Sequence, residues 1–186
     1  MGGSNRNRQV IIAGGGASGM AAAYAASLGG ASVTLLEQNE KLGKKVYISG
    51  KGRCNCTNAA DMETVRTAVV TNPKFLYSAF NAFSNEDLVA FLNSHGCPTK
   101  VERGNRVFPV SDHASDVIRA FERALISQGV EIRYRTKVKA LRVEDNVCMG
   151  VVLTDGTTLD AGAVILATGG VSYPATGADG SGLELA

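Results

Sequence analysis

The feature that most constrains the fold of this 186-residue chain is a glycine spacing, Gly14-x-Gly16-x-x-Gly19. It follows a short apolar run at residues 10–13, predicted to be a buried strand, and opens an alanine-rich segment at residues 17–28, predicted to be a helix. Gly14 permits a tight turn, Gly16 lets a diphosphate approach the backbone, and Gly19 lets helix and strand pack closely. The helix start presents free N–H groups and partial positive charge to such an anion.

A second predicted strand at residues 32–37 completes a βαβ unit. Its last residue, Glu37, can accept hydrogen bonds from an adenosine ribose and would repel a 2′-phosphate, and neither Gln38 nor Asn39 is the arginine that NADP requires. FAD and NAD both satisfy this pattern. A glycine-rich turn without a ligand is the remaining alternative.

The rest of the chain predicts a mixed α/β fold. Residues 41–58 have no clear period and are expected to form a long ordered loop. Helices are predicted from Pro73 after an Asn72 cap, after a Ser84–Asp87 capping box, and from Ser111. Strands are predicted at residues 130–135, 138–144, 147–154, 158–160 and 163–166, of which the middle three read as a β-meander.

Composition excludes several classes of protein. With 45% hydrophobic and 19% charged residues the chain is not intrinsically disordered, and a net charge of +2 does not support nucleic-acid binding. Residues 9–36 carry no charge, which raises a membrane helix or a signal peptide as alternatives, but glycines interrupt the run after four apolar residues. Four cysteines require no oxidising compartment, so a cytoplasmic location is expected.

Three further segments carry a resemblance to a known family. They are Leu42-Gly43-Lys44-Lys45-Val46-Tyr47-Ile48-Ser49-Gly50-Lys51-Gly52-Arg53-Cys54-Asn55-Cys56-Thr57-Asn58, Gly104-Asn105-Arg106-Val107-Phe108-Pro109 with Ser111, and Ala167-Thr168-Gly169-Gly170-x-Ser172-Tyr173-Pro174-x-Thr176-Gly177. Together they resemble the BaiN/RdsA-like family of FAD-dependent oxidoreductases. The last segment also resembles the second nucleotide-contacting strand of flavoproteins in the glutathione-reductase-like group.

The resemblance implies an FAD/NAD(P)-binding Rossmann-like fold, with a parallel sheet and a β-meander. Members of the family are about twice as long, with an inserted β domain and a returning C-terminal segment, so we expect this chain to be truncated and its fold incomplete at the C-terminus. Residues 1–8 are expected to be a disordered leader and residues 9–186 the first part of the FAD-binding domain. The uncovered apolar strand at residues 163–166 predicts self-association.

The resemblance and the glycine pattern together predict the cofactor-binding residues: Gly14, Gly16, Ala17, Ser18, Gly19, Glu37, Gln38, Lys45, Ser49, Gly50, Gly52, Arg53, Cys54, Asn55, Val138, Ala167, Thr168, Gly169 and Gly170. The loop at residues 41–53 would supply positive charge to diphosphate and reduced flavin. A solvated basic loop is the alternative. Cys54 and Cys56 are expected to be structural, no metal site is predicted, and no catalytic residue stands out.

The predicted function is an FAD-dependent oxidoreductase that transfers hydride to or from a small molecule or base, with NAD(P)H as a possible electron donor. The alternative is a non-catalytic adenine-dinucleotide-binding fragment that needs its missing half or a partner. An NAD-only dehydrogenase fits less well, because it does not account for the basic loop.

Overall fold

A computed structural model describes residues 8–186. The expected leader at residues 1–8 therefore lies, except for Arg8, outside the described residues. Backbone contacts divide the described chain into two compact units, one formed by residues 8–46 and 122–186 and the other by residues 47–121. We call them the discontinuous unit and the central unit. The single domain expected for residues 9–186 stays a prediction.

Seven helices and ten strands are assigned within residues 8–186. The helices are α1 Ala17–Leu28, α2 Lys44–Ile48, α3 Met62–Thr67, α4 Tyr77–Ala82, α5 Asn85–Ser94, α6 Ala114–Ser127 and α7 Ser181–Leu185. The strands are β1 Gln9–Ala13, β2 Ser32–Leu36, β3 Thr57–Asn58, β4 Thr99–Glu102, β5 Arg106–Pro109, β6 Glu131–Arg133, β7 Val138–Glu144, β8 Val147–Leu153, β9 Thr158–Asp160 and β10 Ala163–Leu166. Short 3₁₀ turns span Ser49–Gly52, Pro73–Leu76 and Pro174–Thr176.

The discontinuous unit contains the predicted parallel sheet, in the order β10-β1-β2-β6. Strand β1 is central and apolar, and Ile11, Ile12 and Ala13 are buried. The small side chains of α1 let this helix lie close to the sheet, and its residues Met20 and Ala23 are fully buried. The βαβ prediction is confirmed, and the Rossmann-like α/β fold class with it.

The predicted β-meander is present as the antiparallel sheet β7-β8-β9. Asp145 and Asn146 connect its first two strands, both with positive φ, as a tight hairpin turn requires. Val151 and Leu153 of β8 are buried in the same apolar cluster as Ile11 of β1. The meander is thus packed into the core of the discontinuous unit.

The central unit contains the small antiparallel sheet β3-β5-β4 and the helices α3 to α5. The predicted capping box is present: the Ser84 hydroxyl accepts from the Asp87 amide at 3.1 Å, and the Asp87 carboxylate accepts from the Ser84 amide at 2.8 Å. The core of this unit includes Leu92 and Val107, both 0% exposed.

Three local predictions were wrong. Residues 41–58 are not one loop, because they contain α2, a 3₁₀ turn and β3. Asn72 lies in the left-handed region at φ +50° and its side chain caps nothing, so Pro73 opens a 3₁₀ turn instead of an α-helix. Helix α6 begins at Ala114, because Ser111 lies in a preceding turn where its hydroxyl accepts from the His113 amide at 3.3 Å.

Candidate dinucleotide-binding site

A cavity of about 310 Å³ lies in the discontinuous unit where β1, β2 and β10 end. Ligands of open parallel sheets bind outside the carboxyl ends of the strands, which is the position of this cavity. Its lining consists of Ala13, Gly14, Gly15, Gly16, Ala17, Ser18, Leu36, Glu37, Gln38, Asn39, Lys44, Lys45, Thr136, Lys137, Val138, Ala167, Thr168, Gly169, Thr176, Gly177, Ala178 and Ser181.

Two glycines of the strand-to-helix turn are required by close backbone approach. Gly14 has φ +107°, and a Cβ there would lie 2.5 Å from the carbonyl oxygen of Ala167 on the neighbouring strand. A Cβ on Gly19 would overlap the carbonyl oxygen of Gly14. Gly19 is buried and outside the cavity lining, so it brings helix and strand together, as the spacing predicts.

Gly16 has the opposite surroundings. It is the N-cap of α1 at φ −76°, no side chain caps this helix end, and a Cβ there would meet no atom within 4 Å. The first turn of the helix therefore faces open space in the cavity. An anion placed there meets unpaired backbone N–H groups and the positive end of the helix dipole. This open cradle, which a side chain would fill, fits a diphosphate.

Glu37 connects the end of β2 to the glycine turn. Its carboxylate is 6% exposed and accepts from the amide of Gly15 at 2.8 Å and from the amide and side chain of Asn39 at 2.8 and 2.7 Å. A carboxylate oxygen has two lone pairs, and Oε2 carries one of these bonds. The second lone pair can accept from a ribose hydroxyl.

A second wall of the cavity is formed by residues 176–181. Gln38 Nε2 donates to the carbonyl oxygen of Gly177 at 2.8 Å, and Lys137 Nζ forms an ion pair with Asp179 at 2.8 Å. The Lys137 ammonium holds the pKa of Asp179 well below its usual range. The glycine spacing at residues 14–19 did not predict that residues 176–181 line the cavity. The Thr176-Gly177 end of the third family-like segment was the available signal.

Two lysines place positive charge beside the cavity. Lys45 Nζ donates to Ser172 Oγ at 3.3 Å, a neutral partner that leaves the ammonium charge uncompensated by that contact. Lys44 Nζ forms an ion pair with Glu40 at 3.1 Å and donates to Asn39 Oδ1 at 3.0 Å. Of the two, Lys45 is the better placed to balance the charge of a diphosphate.

The predicted site residues fall into three groups. Those that line the cavity are Gly14, Gly16, Ala17, Ser18, Glu37, Gln38, Lys45, Val138, Ala167, Thr168 and Gly169. Gly19 and Gly170 lie outside the lining. The loop residues Ser49, Gly50, Gly52, Arg53, Cys54 and Asn55 belong to the central unit, so their place at a cofactor stays a prediction.

The loop at residues 49–55 has its own electrostatics within the central unit. Arg53 forms ion pairs with Glu102 at 2.5 Å and Asp112 at 2.6 Å, and its guanidinium lies 4.3 Å from the ring centre of Phe108. The pKa values of both carboxyl groups are lowered by these cationic contacts, with Lys100 the largest cause at Asp112. Arg53 is therefore a charge-balanced residue of its own unit.

Neither a metal centre nor a membrane span is found within residues 8–186. The described chain has no group of three or more His, Cys, Asp or Glu residues that could hold a metal ion. No helix in the same range is long and apolar enough to cross a membrane.

Comparison with known proteins identifies the family. The HI0933-like protein Rossmann domain matches residues 8–186. The chain is 40% identical over 180 residues to the 3-dehydro-bile acid delta(4,6)-reductase of Clostridium scindens, covering 96% of this chain and 43% of the reductase. It is 30% identical over 177 residues to the ribosomal RNA dihydrouridine synthase of Escherichia coli, covering 95% and 43%. The chain thus spans less than half the length of these curated relatives.

Solved structures support the fold. The 3-ketosteroid-delta4-(5alpha)-dehydrogenase of Rhodococcus jostii superimposes with a TM-score of 0.67 at 18% identity, over 92% of this chain and 48% of that one. Sdh1 of Mycobacterium smegmatis superimposes with a TM-score of 0.68 at 19% identity, over 88% and 34%. The chain belongs to the HI0933-like family, which confirms the sequence-based resemblance, and FAD is the cofactor that this Rossmann domain fits.

Proposed function

We propose that this HI0933-like chain is the dinucleotide-binding part of an FAD-dependent oxidoreductase. The observation that carries the proposal is the open cradle at Gly16, with Glu37 hydrogen-bonded to the same glycine turn. A diphosphate and an adenosine ribose are the two groups that such a turn and carboxylate recognise. The family match supports FAD over NAD as the dinucleotide.

Each wall of the cavity has a separate task in binding. The amides at the start of α1 would hold the diphosphate, and Lys45 would balance its charge. Glu37 would accept from the ribose. The hydrogen bond from Gln38 to Gly177 would hold residues 176–178 in the cavity wall on the adenosine side. When bound, FAD supplies hydride chemistry, and the protein supplies binding and orientation.

For the whole protein we propose reduction of a carbon–carbon double bond conjugated to a carbonyl group, with NAD(P)H as electron donor. The reductase of Clostridium scindens, at 40% identity, supports a small organic substrate. The dihydrouridine synthase of Escherichia coli supports a nucleobase, at 30% identity. The higher identity favours the small molecule. We also propose a cytoplasmic location, because none of the four cysteines is in a disulfide.

A flavin titration tests the binding part of this proposal. Purified chain is mixed with FAD, and the visible spectrum and flavin fluorescence are recorded after gel filtration. We expect flavin to co-elute with the protein, and we expect Gly16→Val to lose it while keeping the same far-UV circular dichroism. Co-elution from Gly16→Val equal to that from the unaltered chain would contradict the proposal.

Reduction of the bound flavin tests the enzymatic part. The protein in its full natural length, loaded with FAD, is mixed anaerobically with NADPH and NADH. Bleaching of the flavin, followed by reoxidation with a 3-oxo-delta4 steroid, is the expected result. Reoxidation by uridine-containing RNA alone would favour the nucleobase. Flavin binding without bleaching would favour the alternative of a non-catalytic adenine-dinucleotide module.

A further inference from the structure

Two thiols of the central unit lie side by side. The Sγ atoms of Cys54 and Cys56 are 4.0 Å apart, and neither cysteine is in a disulfide. The Cys56 thiol has two acceptors within reach, the Cys54 sulfur and the Cys54 carbonyl oxygen, which is 3.4 Å from its Sγ. Cys54 is buried and Cys56 is partly exposed. A separation of 4.0 Å is van der Waals contact between sulfurs, whereas a disulfide bond measures about 2.05 Å. Formation of a disulfide requires the two sulfurs to approach by rotation of the cysteine side chains.

The backbone holds the two thiols in contact. Cys54 has φ +59°, a left-handed conformation that a residue with a side chain adopts only when its surroundings impose it. Its amide donates to the carbonyl oxygen of Ser49 at 3.1 Å. The amide of Cys56 donates to the carbonyl oxygen of Val107 at 2.8 Å, which anchors Cys56 to β5. Both Cα positions are therefore fixed by hydrogen bonds within the central unit.

The pair is also chemically unequal. The Cys56 thiol beside the Cys54 sulfur lowers the pKa of Cys54; burial opposes this shift, and a hydrogen bond with Ser49 adds to it. The same interaction raises the pKa of Cys56 far above its usual range. Cys54 is thus the nucleophile of the pair, and Cys56 is the thiol that keeps its proton.

We propose that Cys54 and Cys56 form a peroxide-sensitive dithiol site that closes reversibly into a disulfide. In the first step the Cys54 thiolate attacks one oxygen of a hydroperoxide. The O–O bond breaks, Cys54 becomes a sulfenic acid, and the leaving hydroxide becomes water by taking up from solvent the proton that the Cys54 thiol released on ionisation. The two steps do not require bound FAD, although Cys54 is also one of the predicted cofactor-binding residues.

In the second step the Cys56 sulfur attacks the Cys54 sulfur. The S–O bond breaks, a second water leaves with the Cys56 proton, and the S–S bond forms. Over both steps the two thiols lose two electrons and two protons, and one hydrogen peroxide is reduced to two waters. Two molecules of a small thiol such as glutathione restore both cysteines and become its disulfide.

The other two cysteines matter for the test: Cys97 could form a competing disulfide, and Cys148 serves as the control. Cys97 is buried at 1% exposure, and its charge contributes to the raised pKa of Cys56, so a Cys56–Cys97 disulfide is the competing product. Cys148 belongs to the discontinuous unit, and its Sγ contacts the carbonyl oxygen of Gly150 at 3.9 Å. It is a partly buried thiol without a cysteine partner at that contact.

The test is peroxide treatment followed by alkylation and peptide mapping. The protein is exposed to hydrogen peroxide, denatured, alkylated with iodoacetamide and digested with trypsin, which releases residues 54–66 as one peptide. We expect the peroxide-treated peptide to be two hydrogens lighter than the reduced peptide and to carry no alkyl group on either cysteine. Treatment with glutathione before alkylation should restore alkylation of both cysteines. Peroxide should oxidise this pair about tenfold faster than it oxidises Cys148. The free-thiol count is expected to fall from the initial four to two.

Variants separate the two steps. Cys56→Ser is expected to stop disulfide formation and leave a sulfenic acid on Cys54 that dimedone captures. Cys54→Ser is expected to stop both, and Cys148→Ser to change neither. The proposal is overturned if residues 54–66 keep both thiols after peroxide, if the disulfide joins Cys56 to Cys97, or if dimedone labels Cys56 in the Cys54→Ser protein.

Discussion

Two glycine-rich turns of this protein differ in what their glycines accomplish. In the turn at residues 14–19, Gly14 and Gly19 are required because other backbone atoms lie close to them. Gly16 instead faces open space, which we propose is occupied by the diphosphate. In the loop at residues 49–55, Gly50 and Gly52 have φ +55° and +86°. A Cβ on Gly50 would lie 3.0 Å from the amide nitrogen of Asn55, whereas a Cβ on Gly52 would meet no atom within 4 Å. Gly50 is thus limited by a close backbone atom as well as by its positive φ, and Gly52 by its positive φ alone. The first turn combines two close backbone contacts with one open position at an ordinary φ, and the second depends on a positive φ at both of its glycines.

The two regions also differ in how charge is used. The first turn presents backbone amides and an uncapped helix start, which would attract an anion. The second has cations in its sequence, but Arg53 is balanced by Glu102 and Asp112. The number of lysines and arginines in a loop thus says little about the positive charge it offers to a ligand.

Gly19→Ala is expected to destabilise the protein most. The added Cβ overlaps the carbonyl oxygen of Gly14, so α1 has to move away from β1. Overpacking of this kind costs about 1–3 kcal/mol. Urea denaturation followed by circular dichroism measures the loss, with Gly16→Ala as the matched control at an open position. A free energy of unfolding equal to that of the control would show that helix and strand are not in close contact.

Glu37→Gln is expected to have the next largest effect. The amide keeps the shape of the side chain but turns an NH₂ group toward one of the N–H donors of Gly15 and Asn39. A buried donor left without an acceptor costs about 1–3 kcal/mol. Urea denaturation checks this, with the exposed Glu144→Gln as control. Equal effects of the two substitutions would contradict the buried carboxylate network.

Gly16→Ala is expected to separate binding from stability. Its φ of −76° is ordinary for alanine and its Cβ meets nothing, so the free energy of unfolding should change by less than about 1 kcal/mol. The methyl group occupies the space that the diphosphate needs, and the Kd for FAD should rise about tenfold, or about 1.4 kcal/mol. Equilibrium fluorescence titration gives the Kd. An unchanged Kd would show that the diphosphate lies elsewhere.

Arg53→Lys is expected to have the smallest effect of the four. Lysine keeps one charge but cannot reach Glu102 and Asp112 as the planar guanidinium does. Because these groups are partly exposed, Tm should fall by no more than about 4 °C. Differential scanning calorimetry measures this, and FAD titration of the same variant sharpens the comparison. A loss of FAD affinity without a change in Tm would assign Arg53 to the cofactor.

The part of the fold that sequence predicted best depends on local chemistry. The glycine spacing, the alanine-rich α1 and the Ser84–Asp87 capping box each involve residues only a few positions apart. Strand β3 was missed because its formation depends on a distant partner strand. Thr57, for example, pairs with Val107 across 50 positions of the chain.

The site divides in the same way. The glycine turn and Glu37 follow from the βαβ pattern, and the structure joins them by one hydrogen bond. The opposite wall depends on Gln38 reaching Gly177, 139 positions away, which no period in the sequence records. Resemblance to a family, rather than physical pattern, was the source of the predictions for Val138 and for residues 49–55.

The most direct test of the central claim is a titration with ADP, which contains the diphosphate and adenosine ribose without the flavin ring. The ¹⁵N-labelled chain is observed by heteronuclear NMR as ADP is added. We predict that the amides of Gly15, Gly16, Ala17 and Ser18 shift first and saturate together, because they surround the cradle at the start of α1. Saturable shifts confined to other parts of the chain, with these four amides unmoved, would contradict the account.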